Sequence, residues 1–296
     1  MWLFFALLSP LLWAIVHILD WYCVDEIFTD RPWMGVIMGA IASCVLLPVL
    51  PLLVPHWQAT PLPAGVVAVA LTIGLLLQIS QALYFESLAR SDAAAVSAYW
   101  NFVPMLLPIA SFFLLGQVLS PLHYGGIGVL VVASICFCLT DSDRQTRWLA
   151  LGLMAIASGF QVAALLLENY VFQQGPFLLI FMLIALGSIG SGLLPLVLRP
   201  IRQEFHKCLR VLSWGMGLIV TIELVNLMAV AASQRAISLG IPALVAAIET
   251  TIPAYVFALS LVLSWLLPQV VGPTFRQMRL RLVFVGLMAM GVTLLT

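Results

Sequence analysis

The chain has 296 residues, of which 63% are hydrophobic and only 8% charged, and its formal net charge is zero. A soluble domain carries roughly 25% charged residues, so charge this scarce excludes a water-facing surface over most of the molecule and makes lipid its main solvent. The balanced charge gives no footing for nucleic acid, and the five cysteines, Cys23, Cys44, Cys136, Cys138 and Cys208, show neither a disulfide framework nor a zinc spacing.

Crossing the hydrocarbon core as a helix takes about 20 apolar residues. Ten segments are predicted to do so: 2–22, 33–54, 64–89, 93–118, 122–140, 148–172, 176–198, 209–238, 242–267 and 281–296. Their apolar runs are continuous rather than alternating, which predicts helices and not a barrel. The expected fold is therefore an all-α membrane protein of ten transmembrane helices. The first segment has no positive n-region and no small-residue cleavage site, so it reads as a membrane helix rather than a secretory signal. The polar stretches Arg199–Arg210 and Gly272–Arg281 read as loops.

Polar groups inside such helices are costly and mark candidate sites. In chain order, His17 lies one turn from Trp13 and three residues from Asp20, either lining a cavity or pairing with Asp20 near the helix end. Gly35-x-x-x-Gly39 permits close helix packing. Gln78 and Gln81 share a face of the third span. Tyr99, Trp100 and Asn101 precede Pro104 in the fourth, where the aromatic rings suit either a cation–π contact with an amine or core packing. In the sixth span Gln161 and Glu168 share a face, with Glu168 read as a rim residue. In the eighth, Glu223 and Asn226 are three apart and share a face. In the ninth, Glu249, with Thr250 and Thr251 beside it, lies one turn before Pro253, which frees a backbone carbonyl and kinks the helix. Glu223 and Glu249 suit recognition of a cationic or zwitterionic amine, or proton coupling; the structural alternative is satisfaction by neighbouring Ser, Thr or Asn.

The basic residues test this list. Arg31, Arg90, Arg144, Arg147, Arg199, Arg202, Lys207, Arg210, Arg276, Arg279 and Arg281 fall in or beside odd-numbered loops, which share one membrane face, and only Arg235 lies toward the other. By the positive-inside rule the arginine-rich face is cytoplasmic and both termini lie outside.

A shift of 149 residues aligns the halves: Ser9 with Ser158, Ala14 with Ala163, Pro51 with Pro200, Thr72 with Thr221, Ala98 with Ala247 and Pro104 with Pro253. Two repeats are expected, 1–141 and 148–296. Each has five helices, an odd number, so the second is inserted upside down. Inverted repeats are a transporter architecture, with the binding site at the midplane between them.

Residues 82–137, ALYFESLARSDAAAVSAYWNFVPMLLPIASFFLLGQVLSPLHYGGIGVLVVASICF, resemble the third to fifth helices of an EamA-type repeat of the drug/metabolite transporter superfamily. Leu115-Gly116-Gln117 occupies the family's Leu-Gly-Glu place; Ser264-Trp265-Leu266 in the second half lacks the motif. The opening SPLLWAIVHILDWY is similar to first helices of that family. The resemblance implies a cavity lined by spans 1, 3, 4, 6, 8 and 9, with 5 and 10 peripheral. It also implies cytoplasmic termini, against the arginine count.

The expected function is secondary transport of a small organic metabolite (amine, amino acid or drug-like) by alternating access, with proton coupling as one means of driving it. The expected substrate contacts are His17, Gln78, Tyr99, Trp100, Asn101, Gln161, Glu223, Asn226, Glu249 and Thr250. A lipid or lipid-linked sugar flippase component and a non-transporting membrane scaffold are the alternatives. No Walker loop, Ser-x-Lys, Gly-x-Ser-x-Gly or His-Glu-x-x-His constellation is present, so no enzyme activity, cofactor or metal is expected. The expected partners are the small-molecule substrate and membrane lipid, the assembly a monomer or homodimer, and the location a bacterial inner (plasma) membrane.

Overall fold

A computed structural model describes residues 1–26, 33–49, 61–91, 93–139, 148–211, 216–266 and 275–296. Among them the secondary structure is helical, without strands. In chain order the helices are α1 (Trp2–Glu26), α2 (Trp33–Leu46), α3 (Ala64–Leu88), α4 (Ala93–Trp100), α5 (Phe102–Leu115), α6 (Pro121–Leu139) and α7 (Trp148–Val171). They continue with α8 (Phe177–Leu193), α9 (Arg199–Val211), α10 (Met216–Leu239), α11 (Pro242–Glu249), α12 (Ile252–Leu266) and α13 (Phe275–Leu295). Among the described residues nine helical segments are long and apolar enough to cross a membrane, and Trp33–Val49 is a shorter apolar one. The outer surface is correspondingly oily: Phe113, Leu114 and Val118 are 76%, 72% and 74% exposed, while Glu168, Glu223 and Gln234 are buried. Apolar outside and polar inside is what lipid as solvent requires. The chain is an all-α integral membrane protein.

Two expected spans and an expected loop differ in detail. The fourth and ninth are broken, not merely kinked. Pro104 and Pro253 fall in the first turns of α5 and α12, where a missing N–H costs nothing, and the carbonyls at the breaks accept both from the backbone N–H groups of Asn101, Thr250 and Thr251 and from side chains. Asn101 Nδ2 donates to the Ala98 carbonyl (3.1 Å), Thr250 Oγ1 to Ala247 (2.7 Å) and Thr251 Oγ1 to Ile248 (2.7 Å). The stretch expected as the loop Arg199–Arg210 forms helix α9. Its Phe205 is buried against Met34, Ile219 and Ile222, while Arg199, Arg202 and Lys207 are exposed. That one-sided pattern is that of a helix lying along the interface. Arg31, Arg144, Arg147, Pro51 and Trp57 lie outside the described residues.

Gly116 ends α5 with a left-handed φ of 64°. Its N–H bonds to the Phe112 carbonyl (3.1 Å), and the Gln117 N–H to that of Ser111 (3.2 Å). This double closure satisfies the last carbonyls and favours glycine. Ser120 Oγ then accepts the His123 N–H (3.2 Å), capping α6 with Pro121 at its first position.

The packing has a regular plan. Helix α3 lies against α7 and α8, and α10 lies against α1 and α2. Helix α5 packs on α7 as α12 packs on α1, α2 meets α8, and α6 meets α13. At the α3/α8 crossing the backbones touch. A Cβ on Gly74 would lie 2.1 Å from the Ile184 carbonyl oxygen, and one on Gly187 would lie 2.3 Å from that of Leu71. Ser188 Oγ donates to the Gly74 carbonyl across the seam (3.1 Å). The α2/α10 crossing holds a side chain instead: a Cβ on Gly39 would sit 3.3 Å from Glu223 Oε2.

Candidate functional site

A cavity of about 230 Å³ lies among α1, α2, α3, α7, α8 and α10, bounded by Trp100 at the end of α4 and Glu249 at the end of α11. Four carboxylates line it: Asp20, Glu168, Glu223 and Glu249. No Lys or Arg is among the described lining residues. A smaller cavity of about 40 Å³ adjoins it and shares His17, Tyr84, Trp100 and Glu249; it reaches Asn101, Pro104, Thr250 and Pro253. The two helix breaks thus face one space.

The helical spacings act as expected at Glu223. Asn226, one turn on, donates Nδ2–H to Glu223 Oε2 (3.2 Å). Ser43 of α2 donates to Glu223 Oε1, so the carboxylate is held from both sides. Glu249 Oε1 accepts from Ser9 Oγ (3.1 Å) and Ser233 Oγ (2.5 Å). His17 Nδ1 lies 3.0 Å from the Tyr84 hydroxyl, not against Asp20, and Trp100 meets the Tyr84 ring edge-on at 5.6 Å. Ser233 and Gln234 are consecutive on α10 and donate to Glu249 and Glu168 respectively, which sets these two carboxylates against one stretch of that helix.

Of the ten expected contact residues, His17, Gln78, Trp100, Gln161, Glu223, Asn226 and Glu249 line the larger cavity, and Asn101 and Thr250 line the smaller. Tyr99 lines neither; it packs against the cluster of Val36, Tyr84, Phe85, Val96 and Met154. Glu168 is no rim residue: it is 1% exposed, and Gln234 Nε2 donates to its Oε1 (2.7 Å). Spans 2 and 7, absent from the expected lining, contribute Gly39, Ser43, Ser188 and Ile189, and Ser134 of span 5 touches the smaller cavity. Arg235 lies over the Phe177 ring at 5.2 Å and is not a lining residue.

Ser43, Tyr84, Ser233 and Gln234 were not singled out in the sequence. For Ser233 a signal existed: it lies seven residues, two helical turns, after Asn226 and so extends the face of Glu223.

No family model matches the sequence, and no curated protein matches it. The fold is known: 29 solved chains match it. One crystal structure aligns over 100% of this chain and 96% of its own, with a TM-score of 0.70 at 13% identity. At that identity the likeness is one of fold alone. The chain is an integral membrane protein of a recurrent all-helical architecture, with an acidic cavity between its helices.

Proposed function

We propose that the chain is a secondary transporter that moves a small amine-bearing metabolite across the membrane by alternating access. The observation that carries this reading is the cavity between the helices, lined by four carboxylates and, among the described residues, by no Lys or Arg. Buried negative charge needs a positive partner or a proton, and an ammonium group supplies the first. The volume, about 230 Å³, is below the roughly 300 Å³ at which drug-sized pockets begin, which favours small amines and amino acids over larger drugs. Trp100, which lines both cavities, can supply a cation–π contact.

The architecture we propose is ten spans, counting Trp33–Val49 as part of the second, in two inverted five-helix repeats over 1–141 and 148–296. The exchange of packing partners supports it: α3 on α7 and α8 corresponds to α10 on α1 and α2, and α5 on α7 to α12 on α1. The helix breaks at Asn101 and Thr250 obey the same sequence shift that brings Ser9 onto Ser158. The two crossings related by this exchange differ, α3/α8 being shut backbone to backbone and α2/α10 holding Glu223. One unlike pair of equivalent seams is what a carrier caught in one of two access states would have. Membership of the EamA-type family is part of the proposal; the left-handed cap at Gly116 gives a physical reason for its Leu-Gly-x motif.

The test is uptake into proteoliposomes of matched small solutes: a primary amine, a zwitterionic amino acid and a carboxylate, with and without a pH gradient. Uptake of the amine or the amino acid, inhibited by Glu249→Gln, is expected. Uptake of the carboxylate alone, or of nothing above protein-free vesicles, rejects the proposal.

A further inference from the structure

The pair Glu168 and Gln234 has a defect that the cavity as described does not explain. Gln234 Nε2 donates to Glu168 Oε1 at 2.7 Å. The remaining oxygens of the two groups, Glu168 Oε2 and Gln234 Oε1, are both buried and both without a hydrogen-bond partner. The residues are 1% and 2% exposed, so bulk water does not reach them. With an ionised carboxylate, two acceptors are buried without a donor, which folded proteins rarely tolerate, beside a charge that no Lys or Arg among the described lining residues offsets.

A carboxyl and a primary amide joined by one N–H···O bond have one complementary bond left, from a protonated carboxyl oxygen to the amide oxygen. A single proton therefore repairs both orphans at once. The geometry points to Glu168 as a proton-binding site, its Oε2–H donated to Gln234 Oε1 to close a two-bond acid–amide ring. This rests on the transport reading in one respect: it makes Glu168, rather than Glu223 or Glu249, the carrier of the coupled proton. Glu223 and Glu249 have other donors, Ser43 and Asn226 for one and Ser9 and Ser233 for the other. Each can hold its charge ready for an ammonium group.

The surroundings fit a site that exchanges its proton with the cavity. Helix α7 packs against α3, α4, α5, α10 and α11. The ionisable groups on these helices are Tyr84 and Glu86, Tyr99, Glu223 and Arg235, and Glu249; α5 has none. Glu86 pairs with Arg90 at an exposed end, Arg235 lies on Phe177 and Tyr99 is in packing. Tyr84, Glu223 and Glu249 share the cavity with Glu168, and Glu249 is held by Ser233, the residue next to Gln234. Loss of the proton puts a second negative charge beside Glu249, so a cation arriving there and the proton on Glu168 compete for the same electrostatic compensation. That competition exchanges one proton for one cation with no further device.

The experiment is infrared difference spectroscopy of the purified full chain in lipid bilayers, titrated from acid to alkaline pH without substrate. A protonated-carboxyl C=O band is expected in the wild type and lost in Glu168→Gln, whose amide retains the shape. It moves to higher frequency in Gln234→Leu, which removes both bonds of the ring, and persists in Glu249→Gln. A wild-type minus Glu168→Gln spectrum without that band at any pH overturns the proposal, as does a band that Gln234→Leu leaves unmoved. In proteoliposomes, the acceleration of amine uptake by a pH gradient is expected to be lost in Glu168→Gln; acceleration equal to wild type also overturns the proposal. If the wild type transports no amine, the transport reading fails, and the spectrum still decides the proton site.

Discussion

Replacing Gly74 by alanine places a methyl group inside a contact between two main chains. Its Cβ would lie 2.1 Å from the Ile184 carbonyl oxygen and 2.4 Å from the Ser188 nitrogen. Both belong to the backbone of α8, so no rotamer change makes room, and the helices must part by roughly an ångström or more to restore contact distances. Overpacking of this kind costs about 1–3 kcal/mol, and parting the seam also strains the Ser188–Gly74 bond, worth about 1 kcal/mol. Against this stands a gain of about 0.5–1 kcal/mol from removing a helical glycine's backbone freedom. The net expectation is a loss of about 1–3 kcal/mol. Gly159 provides the opposite control: it is helical and exposed, and nothing lies within 4 Å of its Cβ position, so alanine there keeps the gain alone. Thermal unfolding of the purified protein in one detergent, followed by tryptophan fluorescence, reads both. A lowered midpoint for Gly74→Ala beside an unchanged or raised one for Gly159→Ala is expected. If Gly74→Ala melts at or above the wild type, the two backbones do not meet as described.

Gly116→Ala has open space around it but a φ of 64°, so it should lose about 1–2 kcal/mol from conformation alone; an unchanged midpoint in the same assay contradicts that. Thr251→Val removes the hydroxyl bonded to the Ile248 carbonyl, which keeps the backbone N–H of residue 251, and should cost about 1 kcal/mol, visible as faster amide exchange at the start of α12. Phe205→Ala takes the one well-buried aromatic out of α9; protection of α9 amides should fall while that of α10 holds, and equal loss in both would mean α9 is no separate unit. Glu249→Gln should abolish uptake of a cationic amine with little change in midpoint, because Ser9 and Ser233 can still bond to the amide oxygen. Wild-type uptake by this variant would remove Glu249 from the binding site.

The sequence made legible those features whose cause is local. Apolar length announced the membrane helices, and the three-residue spacing announced the Glu223–Asn226 bond. Pro104 and Pro253 marked where the fourth and ninth spans give way. What it hid was carried by distant pairs or by context. Ser43 reaches Glu223 across 180 residues of sequence and Tyr84 reaches His17 across 67, and neither partner carries a local sign. Glu168 read as a rim residue because it sits within a turn of the end of α7. Its burial comes from α10, which lays Gln234 over it. Helix α9 read as a loop because an interfacial helix is half polar, and an apolar count sees only its average.

The severed helices have one further consequence. Asn101 in one half of the chain, and Thr250 and Thr251 in the other, bind backward through side chains to carbonyls of the preceding segment. They bind forward through their own backbones to the following one, as Asn101 does to Met105 and Thr251 to Ala254 and Tyr255. The backbone N–H groups of the same three residues also reach back to those carbonyls, so each junction is a latched corner rather than a loose tether: turning α5 against α4, or α12 against α11, would have to unfasten it.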